Sequence, residues 1–380
     1  MPNLAIYRRY RPQKFSEFIG QEHIVQTLTN AIPLGLISHA YLFSGPRGSG
    51  KTTLARLLAK AVNCQNRKET EFEPCNKCSS CLEIMKGISM DLIEIDAASH
   101  RGIDEIRELR DNIGFLPAKS KYKVFIIDEC HQLSKEAANA FLKTLEEPPS
   151  HVIFILATTE AYKMIPTIVS RCQRFDFKKL TFKEIVKKLK LIAQGEKINF
   201  NEPALSLIAR NAEGSLRDAE SLMDQSLTFF SGKKEISTQD LKDLLGILEI
   251  SAISKFVDCL LEKNPAMAIS FLEEQVSQGL NLEEFTKSVI SYLRKTFLFK
   301  MNPDFFNPES SGLAPEEFKK MSSQASSFNE KELERLLEIL VETENKMKYS
   351  SIPQLPLELA IVKATTQQLT TNHQPPTTNN

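Results

Sequence analysis

The stretch from Gly45 to Thr52 is the strongest candidate for chemistry in this chain. It fits the pattern G-x-x-x-x-G-K-[ST] of a phosphate-binding loop and reads Gly45, Pro46, Arg47, Gly48, Ser49, Gly50, Lys51, Thr52. In such a loop backbone N–H groups bind phosphates, the lysine reaches the β and γ oxygens, and the hydroxyl binds Mg²⁺. The pattern predicts a nucleoside triphosphate site with Lys51 as a catalytic residue. The alternative is a glycine-rich turn followed by a chance Lys-Thr pair.

Two adjacent carboxylates could complete this site. Asp128 and Glu129 directly follow the apolar run 124–127, which predicts a buried strand. A site of this class needs a carboxylate at the end of a neighbouring strand. We expect Asp128 to hold Mg²⁺ together with Thr52, and Glu129 to polarise the attacking water as a base. The alternative is a polar pair that merely begins a loop.

Four of the seven cysteines fall within one short segment and include two C-x-x-C steps: Cys64, Cys75, Cys78 and Cys81. Four thiolates at this spacing can hold one tetrahedral Zn²⁺ and leave no open coordination position, so we expect a structural zinc. A disulfide pair is disfavoured by a reducing compartment, and free buried thiols are disfavoured by the polar neighbours Asn76 and Lys77.

Short apolar runs alternate with helical patterns around these residues. The predicted strands are 40–43, 92–95, 124–127 and 152–156, and amphipathic helices are predicted around Leu54–Ala61 and Ala137–Leu145. Continuous apolar strands between helices are typical of a parallel sheet covered on both faces. The fold class is therefore α/β followed by all-α, because after Leu180 only helical periodicity remains.

The composition divides the chain into four parts. We predict a phosphate-binding domain over 1–178 with the cysteine module at about 64–81, a lid of three or four helices over 179–247, a helical domain over 248–366 and a disordered polar tail over 367–380. The lid opens with Thr181 and Glu184, a capping-box pattern. A basic face is expected from Lys178, Lys179, Lys183, Lys187, Lys188 and Lys190.

Composition also excludes several classes of function. The chain has 380 residues, with 48 basic and 48 acidic side chains, so it is not a polycation that wraps nucleic acid. No run approaches the roughly 20 apolar residues of a membrane span. We expect a cytoplasmic protein that does not bind membranes.

Motifs spread over the chain resemble those of one known family. The matching segments are Tyr10-Arg11-Pro12, Gly20-Gln21-Glu22-His23, the phosphate loop, 92–99, Asp128-Glu129-Cys130-His131, 142–149, 157–159, Ser170-Arg171-Cys172 and 214–219. They resemble the gamma/tau subunits of bacterial DNA polymerase III clamp loaders, which are AAA+ ATPases. The resemblance is strong over about 1–245 and continues more weakly to about 365.

The resemblance implies further site residues. Arg171 would act in trans on the γ-phosphate of a neighbouring subunit, Thr159 would sense that phosphate, and Arg217 would couple the nucleotide to the lid. All three are expected to act in catalysis, with ATP as the nucleotide. His131 is expected to orient polar groups rather than to react, and Arg101, next to His100, could face DNA phosphate or be a solvated loop charge.

The resemblance also implies a function. The chain would be an ATPase subunit that opens a ring-shaped sliding clamp and loads it onto primed DNA within the DNA polymerase III holoenzyme, with no polymerase site of its own. Its partners would be other loader subunits in a pentameric assembly, joined through the helical collar at 248–366, together with the clamp and the DNA backbone. The alternatives are a non-hydrolysing scaffold subunit of the same assembly and another AAA+ DNA motor.

Overall fold

The computed structural model describes residues 4–99, 113–245, 250–277, 279–305, 313 and 315–366. The chain divides into two compact units, Met1–Leu241 and Lys242–Asn380. The predicted disordered tail at 367–380 lies outside the described residues, as do His100 and Arg101.

A parallel five-stranded sheet forms the centre of the first unit. Its strands are β1 (Ala40–Ser44), β2 (Leu92–Asp96), β3 (Lys123–Asp128), β4 (Val152–Thr158) and β5 (Gln173–Asp176), in the order β2-β3-β4-β1-β5. The first four coincide with the predicted apolar runs, which confirms the α/β class. Strand β5 was not predicted, because it is an edge strand in which only Phe175 is buried.

Helices cover both faces of this sheet, as expected for buried parallel strands. Tyr41 and Phe43 of β1 pack with Leu54 and Leu58 of the helix Lys51–Val62 on one face. Leu42, between them, packs on the other face with Phe141 of the helix Lys135–Glu146. The alternation follows from the period-two geometry of a strand. Among the described residues, the helices Glu22–Ala31, Ser79–Lys86 and Pro166–Val169 also belong to this part of the unit, whereas Ile6–Arg9 packs on the helices that follow Leu180.

A helical bundle follows the sheet along the chain, and its last helix crosses the boundary between the two units at Leu241. Its helices are Phe182–Glu196, Glu202–Asn211, Leu216–Phe229 and Thr238–Leu245, close to the predicted positions. The predicted capping box is present, since the Glu184 carboxylate accepts from the Thr181 N–H at 2.6 Å and the Thr181 hydroxyl accepts from the Glu184 N–H. Two short strands, Asn199–Phe200 and Glu235–Ile236, pair in parallel beside these helices and were not predicted.

The described part of the second unit is helical, which confirms the all-α class. Its helices are Ile250–Leu261, Pro265–Ser277, Leu282–Met301, Pro315–Ser327, Glu330–Met347 and Leu355–Thr365. Three leucines of the helix Glu330–Met347 are buried in the core of this unit: Leu333, Leu336 and Leu340. Gln324 is buried as well, where it accepts from the Tyr292 hydroxyl at 2.6 Å and donates to Asp258 at 2.7 Å. Across the described ranges, every helix is too short or too polar to span a bilayer.

Candidate functional site

The candidate nucleotide site lies at the carboxyl edge of the sheet, where β1, β3 and β4 end. The loop 45–50 follows β1 and leads into the helix Lys51–Val62. The Gly45 N–H donates to the Thr158 carbonyl at 3.1 Å, which ties the loop to the end of β4. Because parallel strands end at the same edge, residues far apart in the sequence converge here.

Two glycines let the loop pass close to the rest of the chain. A Cβ atom on Gly45 would lie 2.4 Å from the Phe177 carbonyl oxygen, and one on Gly48 would lie 2.0 Å from the Ser215 hydroxyl. Gly48 also has a φ of 76°, which side chains disfavour. Since Ser215 caps the bundle helix Leu216–Phe229, the loop directly contacts the lid.

Lys51 lies against the loop that precedes it. Its Nζ donates to the carbonyl oxygens of Gly45 at 2.7 Å and Pro46 at 2.9 Å, and the residue is 6% exposed. Burial lowers the pKa of Lys51, while the negative charges of Glu129 and Asp128 oppose this change. The Pro46 carbonyl also accepts from the Ser49 hydroxyl at 2.8 Å. Arg47 is exposed at the tip of the loop.

Thr52 and Asp128, both expected to hold Mg²⁺, lie in direct contact. The Thr52 hydroxyl donates to Asp128 Oδ2 at 2.7 Å, and the Glu129 N–H donates to Asp128 Oδ1 at 3.0 Å. A hydroxyl and a carboxylate are hard oxygen ligands of the kind that Mg²⁺ prefers. This pair, at the foot of the phosphate loop, therefore fits a magnesium ion.

Glu129 is held by the loop that follows β4. Its Oε2 accepts from the Thr159 hydroxyl at 2.8 Å and from the Thr159 N–H at 3.2 Å. Its backbone has a φ of 47°, which turns the chain sharply at the end of β3. The structure thus joins two predicted site residues directly. Thr158 is fully buried and points elsewhere, so Thr159 is the member of the pair that contacts Glu129.

Arg171 lies apart from these residues. Its guanidinium forms an ion pair with Glu146 at 2.7 Å and donates to the Thr167 carbonyl at 2.8 Å. Within the described residues, its hydrogen-bond partners do not include any residue of the phosphate loop. An arginine predicted to act on a neighbouring subunit's nucleotide needs no contact with its own loop.

Arg217 is on the exposed face of the lid, in the first turn of the helix Leu216–Phe229. Its guanidinium carbon is 5.1 Å from the centroid of the Tyr7 ring, a cation–π contact. Ser215, the N-cap residue of this helix, lies against Gly48 of the phosphate loop. Arg217 is therefore two residues from the point at which the loop meets the lid.

The four clustered cysteines converge in space. The sulfur atoms of Cys64, Cys75, Cys78 and Cys81 all lie within 4.8 Å of one another. Backbone N–H groups donate to them, including Cys75 N–H to Cys64 Sγ at 3.2 Å and Cys78 N–H to Cys75 Sγ at 3.3 Å. Burial acts to raise the pKa of Cys75, but hydrogen bonds from the Lys77 and Cys78 N–H groups outweigh it and lower the pKa to about 6. Four sulfur donors at this distance fit a tetrahedral zinc ion.

The cysteine module packs on residues 10–18, here called the N-terminal segment. The sequence did not predict this contact. The Glu73 carboxylate accepts from the N–H groups of Phe15 at 2.9 Å and Ser16 at 2.8 Å. The Asn76 amide donates to the Gln13 carbonyl at 3.1 Å. The same segment then reaches the phosphate loop, because a Cβ atom on Gly50 would lie 2.6 Å from Phe18 Cζ.

The N-terminal segment also holds the lid. The Tyr10 hydroxyl donates to Glu196 at 2.6 Å, and Lys188 Nζ donates to the Tyr10 carbonyl at 2.8 Å. The prediction of a basic face is therefore wrong for Lys188, which is 7% exposed and points inward. The other five lysines of that set are exposed. The signal that could have revealed this contact is the Tyr10-Arg11-Pro12 motif, which had no assigned partner.

Three family models match successive parts of the chain. The model described as "DNA polymerase III, delta subunit" matches residues 20–181. The model described as "DNA polymerase III clamp loader subunit, ATPase lid domain" matches residues 184–232. The model described as "DNA polymerase III subunits gamma and tau domain III" matches residues 236–375.

Relatives that match most of this chain agree with these models. The chain is 44% identical over 359 residues to DNA polymerase III subunit tau of Bacillus subtilis, covering 94% of this chain and 62% of that protein. It is 43% identical over 299 residues to the tau subunit of Escherichia coli, covering 79% of this chain and 46% of that protein. It is 38% identical to DNA polymerase III subunit gamma of Buchnera aphidicola subsp. Schizaphis graminum, covering 95% of this chain and 97% of that protein.

Proposed function

The chain belongs to the family of DNA polymerase III gamma and tau subunits, which are AAA+ clamp-loader subunits, and from that premise we propose that it hydrolyses ATP to load a sliding clamp onto primed DNA. The resemblance predicted from the sequence motifs is thereby confirmed. Because the chain spans about half to two thirds of the length of the tau subunits, the activity and partners of the whole protein are part of this proposal.

The observation that supports ATP hydrolysis best is the convergence of three strand ends. Thr52 after β1 is bonded to Asp128 at the end of β3, and Glu129 is bonded to Thr159 after β4. Lys51 lies in the same site, where the negative charges of Glu129 and Asp128 oppose the lowering of its pKa by burial. A non-hydrolysing scaffold has no need for a carboxylate base beside a complete phosphate loop, so these contacts favour an ATPase.

Each of these residues has a distinct proposed role. Lys51 exchanges its two carbonyl partners for the β- and γ-phosphate oxygens of ATP. Thr52 and Asp128 would hold Mg²⁺, which neutralises phosphate charge when bound. Glu129 accepts a proton from the attacking water while Thr159 holds its carboxylate in place. The loop N–H groups and the start of the helix Lys51–Val62 bind the phosphates.

Arg171 and Arg217 are proposed to link the nucleotide to motion of the assembly. The Arg171 guanidinium leaves Glu146, an exposed partner, and stabilises the γ-phosphate at a neighbouring subunit. Surface ion pairs of this kind contribute little, about 0–1 kcal/mol, so the exchange is inexpensive. Arg217 lies two residues after Ser215, which contacts Gly48 of the phosphate loop. It would therefore move with the lid when ATP binds.

The proposed partners are other loader subunits in a pentameric assembly, the sliding clamp and primed DNA, all in the cytoplasm. DNA would be bound through its phosphate backbone, so binding would be independent of sequence and sensitive to salt. ATP binding would favour the clamp-binding arrangement, and hydrolysis would release the clamp on DNA.

The proposal is tested by ATP turnover of the assembled loader with its clamp, with and without primed DNA. We expect DNA and clamp to raise turnover, Lys51→Ala to abolish nucleotide binding by the chain, and Arg171→Ala to leave that binding intact while lowering turnover of the assembly. Arg174→Ala is the matched control, since Arg174 is exposed and paired with Asp176. A wild-type chain that binds no nucleotide would show a scaffold instead, and turnover that ignores clamp and DNA would refute clamp loading.

We further propose that the cysteine module holds zinc and fixes the N-terminal segment. Cys81→Ser should lose the metal and lower the free energy of unfolding by at least about 2 kcal/mol, because the module has few other buried groups. Metal content by mass spectrometry and thermal unfolding are the measurements. Cys259→Ser, at another buried cysteine, is the control and should keep the metal. Equal metal content in the two variants would contradict a zinc site.

A further inference from the structure

His131 occupies a position between the two loops that carry the proposed catalytic residues. It lies in a short turn, Cys130–Gln132, that follows β3 and Glu129. Strands β3 and β4 are hydrogen-bonded neighbours, with Ile127 opposite Leu156, so the loops after them run side by side. The His131 side chain is 4% exposed, although the residue follows an acidic pair at the edge of the sheet.

Polar groups from both loops surround the imidazole. Its Nδ1 lies 2.9 Å from the Thr158 hydroxyl and 3.5 Å from Glu129 Oε2. Its Nε2 lies 3.0 Å from Glu160 Oε2. The Thr158 hydroxyl in turn accepts from the Glu160 N–H at 3.0 Å. The ring therefore joins two groups that follow β4, the Thr158 hydroxyl and the Glu160 carboxylate, to Glu129 after β3.

These contacts explain how Thr159 comes to face Glu129. Thr159 lies between the two residues that His131 binds, and both its N–H and its hydroxyl donate to the Glu129 carboxylate. With Thr158 and Glu160 fixed by the ring, the intervening residue has little freedom to turn away. His131 itself is buried behind this layer, and none of its hydrogen bonds within the described residues is to the phosphate loop.

We propose that His131 is a positioning residue for ATP hydrolysis, which sets the Glu129 carboxylate by clamping the Thr158–Glu160 turn against the end of β3. This inference rests on the proposed ATPase function. It assigns no bond-making step to the imidazole: the proton of the attacking water goes to Glu129, and His131 determines where that carboxylate stands. Its loss should therefore slow turnover without weakening nucleotide binding.

The main test compares His131→Ala with His131→Asn in the assembled loader. We expect His131→Ala to lower kcat about 10-fold or more, within the range typical of lost positioning of a catalytic group, while KM and the Kd for ADP of the chain change less than 2-fold. His131→Asn should recover part of kcat, because its amide can replace Nδ1 beside Thr158. His151→Asn is the matched control: His151 precedes β4 at the opposite edge of the sheet, and its turnover should equal that of the wild type.

The variant Glu160→Gln provides a second test of the proposal. If the ring acts through the β4 loop, Glu160→Gln should lower kcat as well, and the double variant with His131→Ala should be no slower than His131→Ala alone, because both changes break the same connection. Independent, multiplying effects would overturn the proposal. So would a His131→Ala variant that loses nucleotide affinity, kcat and thermal stability together, since that pattern indicates a general structural role.

Amide hydrogen exchange keeps this inference separate from the proposed function. The N–H groups of Thr159 and Glu160 are bonded to Glu129 and Thr158, so His131→Ala should speed their exchange whether or not the chain hydrolyses ATP. An inactive wild type with faster exchange in the variant would refute the ATPase and leave the clamping intact. Unchanged exchange would refute the clamping.

Discussion

Two buried lysines of the first unit have similar surroundings and different expected roles. Lys51 in the phosphate cradle and Lys188 in the lid are 6% and 7% exposed, and each donates to backbone carbonyl oxygens. Burial lowers the pKa of both, and nearby carboxylates oppose it. Their partners differ: the side chain of Glu129 beside Lys51 is 29% exposed, whereas Glu220 beside Lys188 is 6% exposed.

This difference indicates which lysine can exchange its partners. A ligand that enters at the edge of the sheet can replace the two carbonyl groups that hold Lys51, because the carboxylates around it are accessible. Lys188 is enclosed by the Tyr10 carbonyl and Glu220, so its contacts only hold the N-terminal segment to the lid. Burial and a lowered pKa alone therefore do not identify a functional lysine.

The largest expected effect separates the two lysines by turnover. Lys51→Ala should lower kcat/KM of the assembled loader about 1,000-fold, equivalent to about 4 kcal/mol of transition-state stabilisation. Lys188→Met should change it less than 3-fold. Steady-state ATP hydrolysis measures both. A comparable loss in the two variants would show that Lys188 also serves the nucleotide, and the comparison would fail.

For the free energy of unfolding we expect the reverse order, with the larger effect at Lys188 and the smaller at Lys51. Lys188→Met removes the donor to the Tyr10 carbonyl and the positive charge beside buried Glu220, so it should lower the free energy of unfolding by about 3 kcal/mol at pH 8. Adding Glu220→Gln should recover part of this loss, because the variant no longer buries an uncompensated carboxylate. Denaturant unfolding provides the values. A Lys188→Met chain as stable as the wild type would contradict an enclosed role.

The charge of Glu220 should make stability depend on pH. Burial raises the pKa of Glu220 to about 7, and the charge of Lys188 opposes the rise. A raised carboxyl pKa stabilises the fold fully below the unfolded pKa, and this contribution is lost as pH rises towards the folded pKa. Between pH 5 and 8, the wild type should therefore lose about 2 kcal/mol relative to Glu220→Gln, which cannot titrate there. A constant difference between the two chains over this range would refute the assignment.

The smallest expected effect is at Tyr10, whose carbonyl accepts from Lys188 and whose hydroxyl donates to Glu196. Burial, and to a smaller extent the hydrogen bond to Glu196, raise the pKa of Tyr10 to about 12. Tyr10→Phe removes that bond and should lower the free energy of unfolding by about 1 kcal/mol. Tyr349→Phe, at an exposed tyrosine, is the control and should leave thermal unfolding unchanged. A loss of equal size in the control would show that the Tyr10 bond contributes nothing specific.

Much of the fold could be predicted because local pattern reflects burial directly. Strands β1 to β4 each contain a run of mostly apolar residues that stands out in the sequence, whereas β5 buries only Phe175 and carries no such signal. The helices of the lid follow the apolar periodicity, and the capping box at Thr181 marks where the first begins. The predicted basic face was wrong at Lys188, because nothing in a run of six similar lysines shows which side chain will be buried.

The candidate site divides in the same way. The sequence alone determined the phosphate loop, the acidic pair and the cysteine spacing, since each is a short motif whose chemistry depends on neighbouring residues. Only the tertiary structure decided that Thr159 binds Glu129, that His131 joins two loops, and that the N-terminal segment connects the cysteine module to the lid. These contacts join residues about 30 to 180 positions apart, and such pairings depend on how strands and helices pack rather than on any local pattern.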